Sequence, residues 1–266
     1  MTHAIQLKQR STVLITGGSQ GIGRAMADEF AAHGFDVVLV ARHQDMLEKA
    51  KNELENRYHT HAHIIAIDLT APGAVEKVYK ETKRKRIPVE ILVNNAGFGS
   101  WGLFHENRWK IEANELQLNI VALSHLTHAY LQDMVKAKHG KILNVSSIVA
   151  FQPGPFMAVY YASKAYVNSF SEALSEELKG TGVTVTTLCP GATQTKFHER
   201  AGVDARSIPK AAWMSAQDVA EAGYEGMMKG KRIVIPGNKN QVMIWLSRIT
   251  PKSILLKAVR RFQENR

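Results

Sequence analysis

Tyr160 and Lys164 stand four residues apart, and on a helix that spacing sets both side chains on one face. A free phenol ionises near pH ~10, too high to serve easily as a base at neutral pH, but a neighbouring ammonium favours the phenolate. Together the two groups can take the proton of an alcohol, or give one to an alkoxide in the reverse direction. Ser147 precedes Tyr160 by thirteen residues and directly follows the run Lys141–Ser146, which reads as a strand. A hydroxyl at a strand end and a phenol at a helix start can converge on one carbonyl oxygen, where the hydroxyl stabilises developing negative charge. Pro153, Gly154 and Pro155 suit a shaped loop between them. Tyr161 is three residues from Lys164 and about a hundred degrees round the helix from Tyr160, so it reads as packing. Ser146 reads as the residue that completes the strand.

These groups act only if a scaffold brings them together. Thr12–Thr16, Asp36–Val40, His63–Ile67, Glu90–Val93, Lys141–Ser146, Val183–Leu188 and Arg232–Ile235 read as short strands that alternate with helical patterns. The first six are nearly continuous in apolar residues, as strands covered on both faces are. The expected fold is α/β, a Rossmann-type doubly wound parallel seven-stranded sheet flanked by helices on both faces, in a single domain over residues 1–237. Ligands of such sheets sit beyond the carboxyl ends of the strands, where strand order reverses. The residues just after each strand are therefore the informative ones.

After the first strand, Gly17-Gly18-Ser19-Gln20-Gly21-Ile22-Gly23 leads into the helical run Arg24–His33. Gly17 permits a sharp turn, Gly21 lets backbone approach a pyrophosphate, and Gly23 lets the helix pack closely on the strand. With Ser19, Gln20 and Ile22 completing the turn, the helix N-terminus offers free N–H groups to phosphates. After the second strand comes Ala41-Arg42-His43, with no carboxylate where an NAD-preferring site holds the ribose 2′-hydroxyl. The Arg42 guanidinium can make charge-assisted bonds to a 2′-phosphate, with Ser19 as second donor, so NADP(H) is expected over NAD(H).

The glycine spacing G-x-x-x-G-x-G and the motifs that follow resemble the short-chain dehydrogenase/reductase family over about residues 10–237. Asp68-Leu69 resembles the pair that contacts the adenine in that family, and Asn94-Asn95-Ala96-Gly97 matches its Asn-Asn-Ala-Gly motif. The resemblance implies Asn95, Ala96 and Gly97 beside the adenosine, and Asn94 tying neighbouring strands. Asn119 falls where the family places an asparagine beside its serine, tyrosine and lysine. Its implied role is to hold a water that links Lys164 to solvent, while Lys164 bonds the nicotinamide ribose; a polar side chain satisfying backbone groups is the alternative. Pro190-Gly191-Ala192-Thr193-Gln194-Thr195 is similar to the family's Pro-Gly turn beside the nicotinamide, with the side-chain role of Thr193 left open. A homodimer or homotetramer, built partly on the helix of Tyr160, is also implied.

The 266 residues are 45% hydrophobic and 22% charged, enough for one continuous core. Cys189 is the only cysteine, which excludes an intrachain disulfide. Residues 1–11 lack an apolar leader core, and no run approaches the roughly 18 apolar residues of a membrane span, so a cytoplasmic protein is expected. Much of the net charge of +10 lies in residues 239–266, where seven cations face Glu264 alone. Residues 238–266 read as a basic amphipathic helical extension, with Val242, Trp245, Leu246 and Ile249, then Leu255, Ala258, Val259 and Phe262, at helical spacing. Such helices either pack on the domain or a neighbouring subunit, or make peripheral contact with an anionic membrane. His59, His61 and His63 lie far from the expected site and are not read as metal ligands; Lys83-Arg84-Lys85-Arg86 reads as a solvated helix end. No aromatic-basic reading surface accompanies the charge, so nucleic acid is not an expected partner.

Phe98, Trp101, Val149, Phe151, Pro155, Phe156 and Phe197 should wall the pocket, with residues 192–213 as a lid. The expected protein is an NADP(H)-dependent oxidoreductase that transfers hydride between nicotinamide and a hydrophobic carbonyl or alcohol. The alternative is a catalytically silent NADP(H)-binding sensor or scaffold, which has no need of the serine, tyrosine and lysine together.

Overall fold

The computed structural model describes residues 10–204, 208–209 and 212–264. Seven strands, β1 (Thr12–Thr16), β2 (Asp36–Ala41), β3 (Ala62–Ala66), β4 (Val89–Asn94), β5 (Gly140–Val145), β6 (Val183–Leu188) and β7 (Ile233–Val234), form one parallel sheet in the order β3-β2-β1-β4-β5-β6-β7. The expected fold class is therefore observed. The third strand lies one residue earlier than its apolar pattern suggests, because the backbone pairs Ala62 with Val37 and Ala66 with Ala41. The last is shorter than expected, although Arg232 still accepts a backbone bond from Thr187.

Period-two alternation sorts the strand side chains between two apolar layers. Val13, Ile15, Val37, Leu39, Ile91, Val93 and Leu143 pack under α1 (Gly21–Ala32), α2 (Gln44–Tyr58) and α8 (Ala216–Met228). Leu14, Val38, Val40, Leu92 and Ile142 pack under α3 (Ala74–Arg84) and α5 (Leu123–Ala137), with the end of α6 (Ala158–Glu177). Each fully buried aliphatic side chain contributes about 1.5–3 kcal/mol, so neither face of the sheet tolerates a polar intruder without compensation.

The order reverses between β1 and β4, and there the strand ends are stitched. The Thr16 Oγ1 accepts from the backbone N–H groups of Asn95 and Ala96, each at 3.0 Å, and the Asn95 Nδ2 donates to the Thr16 carbonyl at 2.9 Å. Asn94 ties strands as expected, donating to Asn144 Oδ1 at 2.9 Å and to Thr127 Oγ1 at 3.0 Å.

Two further stretches matter for the site. Between α4 (Trp109–Leu116) and α5 the backbone takes a π-helical turn, Gln117–Ala122. Beyond β7, α9 (Asn238–Ile249) and α10 (Lys252–Glu264) are separated by Pro251, whose ring and missing N–H end the first helix. Among the described residues no helix is long and apolar enough to cross a membrane.

The basic run at the end of α3 is engaged with acids: Lys83 pairs with Asp133 at 2.7 Å, and Arg84 and Lys85 share Glu81.

Candidate active site

The helix after the glycine turn opens at Gly21, three residues before the expected Arg24. Gln20 precedes it in extended conformation without a side-chain cap, which leaves the first N–H groups of α1 directed at the crevice. Gly23 is obligatory, since a Cβ there would lie 2.3 Å from the Gly17 carbonyl oxygen. Gly21 has φ +57°, and Thr195 crosses above it close enough that a Cβ would stand 3.2 Å from the threonine methyl. Ser19 and Ile22 are half-buried in the same turn. Arg42 follows the last residue of β2, exposed and without an ion-pair partner among the described residues.

The remaining cofactor residues divide into two kinds. Asn95, Ala96 and Gly97 line the carboxyl end of β4, but the amide of Asn95 is spent on the β1 turn. Asp68 Oδ1 accepts from the backbone and hydroxyl of Thr70, at 2.9 and 2.8 Å, and Leu69 is drawn into the core, so that pair shapes its loop. Pro190 is buried and its carbonyl accepts from Ile148 N. Thr193 turns its hydroxyl onto the Gly191 carbonyl at 3.0 Å, away from solvent, whereas Thr195 accepts from Phe197 N at 3.2 Å.

Tyr160, Ser147 and Lys164 meet at the carboxyl ends of β5 and β6. Ser147 caps a 3₁₀ turn, Ile148–Phe151, that follows β5; its hydroxyl accepts from Val149 N at 3.3 Å and lies 3.4 Å from the Pro190 carbonyl. Lys164 lies one turn along α6, donating from Nζ to the Val145 carbonyl at 2.9 Å. Asn119 sits in the π turn, donates to Phe98 O at 2.8 Å and accepts from Phe98 N at 3.1 Å. The backbone-satisfying role, raised as an alternative, is thus one that Asn119 fills. π turns of this kind recur at functional sites because they re-aim a side chain without ending the helix.

Lys164 Nζ lies 5.7 Å from the Tyr160 ring centroid. Burial pushes the phenol up, with Ser147 alone opposing it. Burial also pulls the Lys164 ammonium down to about 8, against the charge of Glu115, which raises it. Glu115 is itself fully buried and pushed up to about 7, first by burial and then by the nearby Glu112. One hydroxyl, Ser100 Oγ, stands 2.9 Å from Glu115 Oε2 and 3.1 Å from Glu112 Oε1. A hydroxyl has one proton to donate, so both carboxylates cannot be served by it at once. Cys189 is buried and its thiol is pushed up to about 12, in keeping with its reading as a small apolar residue.

The wall is aromatic. Trp101 stacks on Phe156 with centroids 5.7 Å apart, and Phe197 lies 5.2 Å from the Tyr160 ring. Α short helix, α7 (Phe197–Ala201), packs Ala201 against Tyr160, Tyr161 and Met157. The ends of the expected lid are fastened together, with Gln194 N bonded to Met214 O and Met214 N to Ala192 O, both at 2.9 Å. Residues 205–207 and 210–211 of the lid lie outside the described residues.

The sequence reading missed one wall. Leu255 and Val259 of α10 join Trp101, Met157 and Tyr161, and Gln263 is completely buried there. The α9 start also reaches the site, since a Cβ on Gly191 would lie 2.6 Å from Asn240 Nδ2. Helical periodicity predicted these helices but carries no sign of what they cover.

The sequence profile described as "short chain dehydrogenase" matches residues 11–205. A sulfoacetaldehyde reductase of Chromohalobacter salexigens is 37% identical over 220 residues, 79% of this chain and 85% of that protein. The very-long-chain 3-oxoacyl-CoA reductase of Mus musculus is 31% identical over 192 residues, 69% of this chain and 60% of its own length. The chain spans about three fifths of the length of the first curated relatives it matches. A solved short-chain dehydrogenase from Sphingobium yanoikuyae in complex with NADPH is 30% identical, with a TM-score of 0.81, covering 91% of this chain and 97% of that one. The matched sequence, the sheet and the site's layout agree: the chain belongs to the short-chain dehydrogenase/reductase family of oxidoreductases.

Proposed function

We propose that the protein is an NADP(H)-dependent oxidoreductase that transfers hydride between the nicotinamide and a hydrophobic carbonyl or alcohol, with Tyr160 as acid/base. The observation that carries this reading is that Ser147, at the carboxyl end of β5, and the buried Tyr160 and Lys164, one turn apart on α6, are gathered beside an uncapped helix N-terminus. That N-terminus and the glycine cradle fit a pyrophosphate, and the exposed Arg42 fits a 2′-phosphate. When bound, the nicotinamide supplies or accepts the hydride. Ser147 donates to the substrate oxygen and steadies its developing charge. Tyr160, held neutral by burial, gives its phenol proton to the forming alkoxide in reduction, and takes it back in oxidation. Lys164 binds ribose hydroxyls and offsets the phenolate left behind. The aromatic wall of Trp101, Phe156 and Phe197 excludes water and selects an apolar substrate.

Screening carbonyl compounds by loss of NADPH absorbance tests the activity, and Tyr160→Phe tests the assignment. The variant is expected to bind NADPH as the parent does while turnover falls at least about a hundredfold. A Tyr160→Phe protein that turns over at the parent rate defeats the assignment, and an absence of turnover on every carbonyl class favours a sensor.

A further inference from the structure

The core covers one side of α9 and leaves the other bare. Ile244 is its buried residue, whereas Val242, Trp245, Leu246 and Ile249 are exposed, the tryptophan and isoleucine at 60% and 61%. Their spacing i, i+3, i+4, i+7 gathers the four into a single stripe, about half a turn round the helix from Ile244. A solvated helix face has no reason to carry such a stripe, and contiguous exposed apolar surface marks an interaction site.

The two helices are rich in cations. Between residues 239 and 264 stand Lys239, Arg248, Lys252, Lys257, Arg260 and Arg261 against Glu264 alone, which is engaged by Arg260 at 2.7 Å. A groove of about 330 Å³ between α9 and the edge strand β7 places Lys231 and Arg248 beside Trp245 over an apolar floor. Arg248 also lies over the Phe151 ring at 5.6 Å, so this surface adjoins the expected substrate wall.

We infer that α9 and α10 form a docking face for an anionic phospholipid surface, with the α9 stripe set into the acyl boundary and the flanking cations on the headgroups. A second copy of the chain fits less well, because a twofold interface puts the same patch on both sides and would oppose cation to cation. An anionic bilayer neutralises them and covers the stripe together. The arrangement would bring a lipophilic substrate to the side of the protein where α10 walls the pocket.

The test is co-sedimentation of the full chain with vesicles of phosphatidylserine and phosphatidylcholine, and with phosphatidylcholine alone. Binding to the anionic vesicles only is expected, weakening as salt rises. Trp245→Glu with Ile249→Glu, and separately Lys252→Glu with Lys257→Glu, should each lower vesicle affinity at least tenfold while NADPH binding stays at the parent value. Failure of the parent chain to bind anionic vesicles overturns the inference, as does equal binding by the substituted proteins. So does a parent dimer that the Trp245→Glu, Ile249→Glu pair converts to monomer with vesicle binding unaltered, which would make a second copy the occupant.

Discussion

Gln263, on the last helix, donates a 2.7 Å hydrogen bond from Nε2 to the Tyr161 hydroxyl, beside the tyrosine assigned the proton transfer. Its backbone carbonyl accepts from Trp101 Nε1 at 3.3 Å, so one residue fastens α10 to two elements of the wall. Gln263→Ala should therefore loosen the wall without touching the chemistry. The lost hydrogen bond costs about 1 kcal/mol, which lowers Tm by roughly 2–4 °C in a chain of this size. KM for a bulky carbonyl should rise several-fold while kcat and NADPH affinity hold. A fall in kcat at unchanged KM would show that α10 does something other than shape the pocket.

Lys164 sets a second expectation. Its ammonium is held at about 8 by burial, so the charge is present below that pH and lost above it. The rate of carbonyl reduction, followed as kcat/KM, should stay level through neutral pH and decline as pH rises past about 8. Lys164→Met should lower the level by about a hundredfold or more and abolish the limb. A limb of unchanged position in that variant would assign it to another group.

The fold was legible because β1, β2, β4 and β5 are buried along most of their length on both faces, so their apolar runs are nearly unbroken. Ser147, Tyr160 and the glycine turn were legible because the sheet forces chemistry to the strand ends, where few residue types can serve. Contacts between distant segments were not. Thr16 reads as the last residue of a strand, and nothing local says that its hydroxyl gathers the β4 backbone. Gln263 belongs to a helix whose periodicity is plain and whose partner is 102 residues away. Nothing in the sequence singles out Glu115, yet in the fold, where α4 packs on α6, it has no exposure.

Arg42 carries the choice of cofactor. If its guanidinium holds a 2′-phosphate, Arg42→Ala removes a charge-assisted contact of about 1.5–3 kcal/mol. NADPH should then bind some tenfold to a hundredfold more weakly, with NADH little changed, in a titration of each cofactor. Equal weakening of both would place Arg42 outside the 2′ site and reopen NAD(H).

Glu115 offers a test in which stability and rate must move together. Its carboxyl rises from 4.5 to about 7 in the folded chain, so the folded state holds a proton that the unfolded state has already released between those values. Stability is then fully present below about pH 4.5 and declines as pH climbs towards 7, by about 3 kcal/mol in all. Glu115→Gln keeps the shape and cannot ionise, so its thermal stability should match the parent near pH 4.5 and exceed it increasingly up to pH 8. The same charge raises Lys164, and removing it should shift the alkaline limb of kcat/KM to lower pH. A merely structural carboxyl would give a stability difference independent of pH and leave the limb where it was. Glu112→Gln separates the partners, because Glu112 acts on Glu115 by charge. That variant should lower the Glu115 transition and leave the group ionisable, so the dependence of stability on pH narrows rather than vanishes.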